Sequence, residues 1–254
     1  MTPIILVVND DGITAPGIRN LIDAVGSLGT IYVVAPDKPQ SGMGHAITIH
    51  DTLRLQEFNV TENVKEYACS GTPVDCVKIA IDKLLPSKPN LIVSGINHGS
   101  NSSINVIYSG TMSAAVEGCI EGIPSIGFSL SDFALNANFE ACKESIKNIC
   151  SRVLESGLPD GICLNVNFPK LPKEELKGIK ICRQAKAIWH EEFDERKDPS
   201  GKSYYWLTGK FMNLDEGQDT DEWALANGYV SVVPVHIDFT GYKAMDLLKA
   251  MFLK

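Results

Sequence analysis

No stretch of this chain approaches the roughly 20 consecutive apolar residues that a membrane-spanning helix needs. It also lacks an excess of basic charge: 23 Lys and Arg stand against 31 Asp and Glu, a formal net charge of −8. That balance excludes a general nucleic-acid or duplex binder, which would carry a basic face. It does not exclude small anionic substrates, because a bound cation reverses the local potential. The seven cysteines are odd in number and contain no C-x-x-C pair. Disulfide scaffolds and zinc sites are therefore poor readings, and buried reduced thiols are expected. The opening Met1-Thr2-Pro3 runs into a strand-like segment with neither a basic n-region nor an apolar h-region. No membrane association and a soluble, cytoplasmic chain are the expectation. Internal repeats, low-complexity linkers and the dinucleotide fingerprint G-x-G-x-x-G are all missing.

What is present alternates between strand and helix patterns. Ile4–Val8 is a continuous run of β-formers, as in a strand covered on both faces. Ile18, Leu21, Ile22 and Val25 then recur at helical spacing, and 31–34 is a second buried strand stopped by Ala35-Pro36. Residues 37–46 read as a loop, 47–55 alternate like a half-exposed strand, and Val64–Cys69 is another. Thr72-Pro73 opens a helix with Val74, Val77, Ile81 and Leu84 on its apolar face. Strands at 91–93, 123–130 and Ile162–Phe168 follow, with a long loop over 94–110 and helices over 111–121 and 138–156. This order predicts an α/β fold with a doubly wound, mainly parallel sheet. From about residue 177 the character changes. Residues 183–210, with Trp189, Trp206 and the turn Asp198-Pro199-Ser200-Gly201, read as an exposed hairpin arm of the kind that marks subunit contacts. A strand at 229–237 and an amphipathic helix at 242–253 close the chain. The partition is one domain over 1–254, with a core over about 1–180 and an oligomerisation arm and C-terminal elements over about 181–254.

Four loops carry candidate chemistry. Val8-Asn9-Asp10-Asp11-Gly12 follows the first strand, where open α/β sheets bind ligands. Adjacent carboxylates repel unless a cation or proton lies between them; capping of the next helix by one Asp is the plainer account. Ser41, in Pro39-Gln40-Ser41-Gly42-Met43-Gly44-His45, offers a hydroxyl for a hard cation or a phosphate, or simply belongs to a polar loop. Asn97, in Ser94-Gly95-Ile96-Asn97-His98, offers a neutral carbonyl oxygen of the type Mg²⁺ or Mn²⁺ accepts. His98 and His45 are proton donors by type, or exposed loop residues. Ser109-Gly110-Thr111 stands at a helix N-terminus, where free N–H groups hold phosphate or the hydroxyls cap the helix. Taken together, these loops emerge at one edge of one parallel sheet. An all-oxygen donor set selects a hard divalent metal.

The stretches ILVVNDDGITAPGI (5–18), VVAPDKPQSGMGHAIT, SGTPVDCV, LIVSGINHGSN and VIYSGTMSAAVEG strongly resemble the survival protein E (SurE) family of metal-dependent 5′/3′-nucleotidases. The resemblance is dense over about the first 130 residues. It implies a Rossmann-like core and one divalent metal ion, Mg²⁺ or Mn²⁺, held by Asp10, Asp11, Ser41 and Asn97. It places Asn101, Ser109, Gly110 and Thr111 at the phosphate, and implies a homodimer or homotetramer that exchanges C-terminal elements. Ser103 stands where the family often has Gly, and Met112 replaces a common Val.

The function that follows is hydrolysis of nucleoside 5′- or 3′-monophosphates, with Asp10 and Asp11 as the catalytic carboxylates and Ser41 also near the substrate. Attack by water and a covalent aspartyl-phosphate are both compatible with the residues. A phospho-signalling receiver would need an acceptor Asp where the chain has Ser94-Gly95. A nucleotide-binding module without turnover is the third reading.

Overall fold

A computed structural model describes residues 2–60, 64–134 and 136–253; Met1 lies outside them. Strand β1 (Ile4–Val8) leads through helix α1 (Pro16–Val25) to β2 (Thr30–Pro36), then to β3 (Leu55–Val60) and β4 (Val64–Cys69). Helix α2 (Pro73–Ile79), β5 (Leu91–His98), α3 (Gly110–Ile120), β6 (Ser125–Leu130), α4 (Glu140–Ser156) and β7 (Ile162–Phe168) complete the wound core. Beyond it come β8 (Ile179–Ile181), the hairpin β9 (Ala187–Lys197) and β10 (Ser203–Asn213), α5 (Asp221–Ala226), β11 (Val230–His236) and α6 (Tyr242–Phe252).

Nine strands form one sheet in the order β3-β4-β2-β1-β5-β6-β7-β11-β8. Strands β4 through β7 in that order are mutually parallel; β3 and β11 each run antiparallel to a neighbour. Alternation along β1 sends Ile5 and Val7 toward α1 and α4, and Leu6 and Val8 toward α2 and α3. Each such buried aliphatic side chain contributes about 1.5–3 kcal/mol, so the continuous apolar run of β1 follows from its two covered faces. Helix α2 begins with a capping box: Thr72 Oγ1 accepts from Asp75 N and the Asp75 carboxylate accepts from Thr72 N. Helix α3 is rich in small residues because it packs tightly; a Cβ at Gly118 would come within 2.6 Å of Ile92 Cδ1.

Two expectations need correction. The alternating segment 47–55 is not a strand until Leu55, and Ile49 is 72% exposed. Its polar groups are used by side chains instead: Thr48 N and Oγ1 both donate to the Asp75 carboxylate. The long loop over 94–110 is partly ordered, since β5 runs on to His98 past an irregularity and Ser103–Ile107 forms a 3₁₀ turn. From the C-terminal segment, β11 returns to the main sheet between β7 and β8, while β9 and β10 alone make the separate arm. Both β8 and the short helix α5 lay outside the sequence reading.

Helix α1 lies against the end of β5 with no space between them. A Cβ at Gly17 would sit 1.9 Å from the carbonyl oxygen of Ile96, next to Asn97. The Gly17→Ala variant is expected to lose about 1–3 kcal/mol, read as a lower urea midpoint. An unchanged midpoint would contradict this packing.

Candidate active site

The chain leaves β1 to build β2 and β4 on one side, then returns on the other side as β5. The carboxyl ends of β1 and β5 therefore flank a topological switch point, where the crevice of an open parallel sheet opens. The turn after β1 is built by its own residues. Gly12 takes φ +101°, Asn9 Nδ2 donates to Gly12 O (2.8 Å), and Ile13 N donates to Pro36 O (2.9 Å). Gln40 N donates to Asp10 O (2.8 Å), which ties the Ser41 loop to the same turn.

Asp10 is only 4% exposed. Burial, followed by the Asp11 charge, pushes its carboxyl from 3.8 up to about 6, against the lowering effect of the Thr111 hydroxyl. That hydroxyl donates to Asp10 Oδ1 at 2.5 Å. The Asp11 carboxyl is also raised by burial, and the backbone N–H of His98, 3.4 Å from Oδ2, pulls it back down. Gly110 lets α3 close on the pair, since a Cβ there would lie 2.8 Å from Asp10 Cβ.

Asn97 closes β5. Its Nδ2 donates to the carbonyls of His98 (3.2 Å) and Gly99 (2.9 Å), which occupies both amide hydrogens and leaves Oδ1 as a free acceptor. Asn101 is held by a buried amide network: its N–H donates to Asn167 Oδ1, its carbonyl accepts from Asn165 Nδ2, and its Nδ2 donates to Ser129 Oγ, each at 2.8 Å. Ser109 caps α3, its Oγ accepting from Met112 N at 3.0 Å, so its own O–H is left to donate.

Asp10, Asp11, Ser41, Asn97, Asn101 and Ser109 meet on the wall of one cleft of about 540 Å³. Gly110 and Thr111 are not on that wall; they pack on and hydrogen-bond to Asp10. His98 lines the cleft and meets Phe139 edge-on, whereas the His45 Nε2–H donates to the buried Glu117 carboxylate and its ring lines a different cavity. The sequence reading missed Trp189, Glu191 and Thr208, which reach the cleft from the arm. Only the aromatic content of the hairpin hinted at them, and it pointed to a subunit contact.

Among the described residues that line the cleft there is no Lys or Arg, and His98 beside Asp11 is the one basic side chain facing the aspartates. Two carboxylates, an amide oxygen and a hydroxyl form the donor chemistry of a hard divalent cation. These residues fit such an ion.

The sequence profile of the family described as "Survival protein SurE" matches residues 5–191. The "5'-nucleotidase SurE" of Flavobacterium psychrophilum is 66% identical over 248 residues, covering 97% of this chain and 96% of its own. That of Christiangramia forsetii is 66% identical over 242 residues, covering 94% and 93%. This chain belongs to the SurE family. The crystal structure of the Aquifex aeolicus SurE protein superposes with a TM-score of 0.85 at 42% identity, covering 98% of this chain and 99% of that one.

Both departures from the SurE pattern have a local account. Ser103 adopts φ 54°, the left-handed region that favours Gly, and is held there as its N–H donates to Asp221 Oδ2 (2.7 Å) and its Oγ to Ala185 O (2.8 Å). Met112 is fully buried over Gly127, where a Cβ would come 2.3 Å from its sulfur.

The raised carboxyl of Asp10 has a consequence for stability. The folded chain binds more protons than the unfolded chain between about pH 4 and pH 6, so stability falls as pH rises through that window. Above it, the cost from Asp10 is roughly 3 kcal/mol at most. With EDTA present, Asp10→Asn is expected to be more stable than the wild type at pH 8 and not at pH 4, measured by urea unfolding. A wild type at least as stable as Asp10→Asn at pH 8 would contradict it.

Proposed function

We propose that this chain hydrolyses nucleoside 5′-monophosphates, and 3′-monophosphates by the same chemistry, with the help of one divalent metal ion, Mg²⁺ or Mn²⁺. The observation that carries this reading is the convergence of Asp10, Asp11, Ser41 and Asn97 with the α3 N-terminus in one cleft. The relatives named 5'-nucleotidase SurE, similar over nearly the whole chain, supply the substrate class. Asp10, Asp11, Ser41 and Asn97 hold the metal. Bound there, the ion supplies Lewis acidity toward a phosphoryl oxygen.

The protein's own groups do the rest. Asn97 presents Oδ1 because both of its amide hydrogens are engaged. Thr111 orients Asp10 through its hydroxyl. Asp11 is less buried than Asp10 and lines the cleft, which places its carboxylate where it can take the proton of an attacking water. The Ser109 hydroxyl and the second hydrogen of the Asn101 amide, both on the cleft wall, stabilise charge on the phosphoryl oxygens, while Gly110 and Thr111 act behind them through their packing and hydrogen bond to Asp10.

The same reading takes the chain to be a cytoplasmic homodimer or homotetramer. All seven cysteines are free and buried, which suits a reducing compartment. No helix among the described residues is long and apolar enough to cross a membrane. Helix α6 buries none of its residues, and an apolar groove of about 840 Å³ lies beside Val233–Ile237 and Phe239. Both are surfaces that exchange of C-terminal elements between subunits would cover.

Phosphate release should be measured over a panel of mononucleotides, with EDTA and with Mg²⁺ or Mn²⁺ added back. The expected result is release from nucleoside monophosphates that EDTA abolishes and metal restores. Asp10→Asn should keep its circular dichroism spectrum and lose about two orders of magnitude or more in turnover. Full turnover in that variant, or in excess EDTA, would overturn the metal assignment.

A further inference from the structure

The cleft has a second end that neither a metal nor a phosphate explains. At about 540 Å³ it is far larger than a phosphoryl group requires, and part of its wall is aromatic and apolar: Tyr108, Phe133, Trp189 and Leu207. Tyr108 and Phe133 come from the loops after β5 and β6, whereas Trp189 and Leu207 come from the β9–β10 arm. Large apolar side chains left open in a cleft are a ligand surface more often than a packing defect.

Trp189 is the fixed member of this group. Its Nε1–H donates to Asn105 Oδ1 at 2.7 Å, and its ring meets Phe211 edge-on with centroids 5.7 Å apart. Even so, it remains 39% exposed. An indole locked at its edge while still exposed is a preorganised plate, which spares a ligand the entropy of ordering it. The flat groups that stack on such plates without regard to sequence are nucleobases, because every base has a π-face.

Polar groups beside Trp189 match the edge of a base and not a second phosphate. Glu191 places a carboxylate acceptor on the cleft wall. Thr208 Oγ1 donates to the Glu192 carbonyl at 2.9 Å, so its oxygen is free to accept. Two acceptors, and no Lys or Arg among the described residues of this wall, favour the N–H groups of a neutral base over a further phosphate.

We infer that Trp189 of the arm is the stacking platform for the nucleobase, with Glu191 and Thr208 reading its edge, so that the arm selects nucleotides over simpler phosphate esters. This assignment rests on the nucleotidase reading for its phosphate end. The base end is testable separately.

Two measurements on the intact protein test it. The first compares adenosine 5′-monophosphate with ribose 5-phosphate, which carries the same phosphate and sugar without a base. In Trp189→Ala the ratio of their kcat/KM values should fall about tenfold from stacking loss alone, mainly through KM, and Trp189→Phe should recover most of it. The second follows tryptophan emission as adenosine alone is added. Quenching is expected in the wild type and lost in Trp189→Phe, with Trp206 and Trp223 retained as internal reporters.

Equal losses on both esters would overturn the platform and assign Trp189 to arm packing or a subunit contact, as would adenosine quenching that survives in Trp189→Phe. Failure of the wild type to release phosphate from either ester would count against the proposed activity, while the adenosine titration would still decide the base platform.

Discussion

Two neighbouring carboxylates in a nearly closed corner of the sheet are the constraint around which the rest of the site is arranged. Burial disfavours both charged forms and the Asp11 charge adds to the cost at Asp10; among the described residues of the cleft wall there is no Lys or Arg to offset this, and only His98 draws Asp11 back down. Several structural features serve that corner. Gly12 and Asn9 shape the turn, Gly110 admits α3, Thr111 engages Asp10, and the His98 N–H reaches Asp11. Gly17 matters at one remove, by letting α1 seat the strand end that carries Asn97. The proposed cation would relieve the cost of both charges in this corner.

The parts of this arrangement legible in the sequence were those encoded by local pattern. The continuous run IILVV marked a strand covered on both faces, and its ending in Asn9-Asp10-Asp11-Gly12 marked the crevice side of the sheet. Thr72-Pro73 and Ser109-Gly110 announced their helices because capping is a relation between residues three apart. The elements that escaped depend on distant partners. Segment 47–55 alternates like a strand, but Thr48 is claimed by Asp75 across 27 positions. Strand β8 has three residues and helix α5 six, too few to show a period.

The site shows the same division. Residue types and their order after successive strands pointed to Asp10, Asp11, Ser41, Asn97, Asn101 and Ser109, and the structure gathers them on one wall. The part Thr111 plays was not legible. Its hydroxyl is spent on Asp10, a contact across 101 positions, which makes the threonine an orienting group for the aspartate as well as part of a helix N-terminus. Nor could spacing show that the arm turns back over the cleft, since Trp189 reaches Asn105 across 84 positions. Side chains that work on each other from opposite ends of the chain leave no periodic trace.

The claim on which the account stands is that the Asp10–Asp11 corner is first of all a cation site. Titration of the intact protein with Mn²⁺ at neutral pH, followed by electron paramagnetic resonance of the free ion, tests it without reference to any substrate. The account predicts saturable binding of one Mn²⁺ per chain, displaced by Mg²⁺ and lost or severely weakened in Asp10→Asn. Absence of saturable binding in the wild type, or binding in Asp10→Asn as tight as in the wild type, would contradict it.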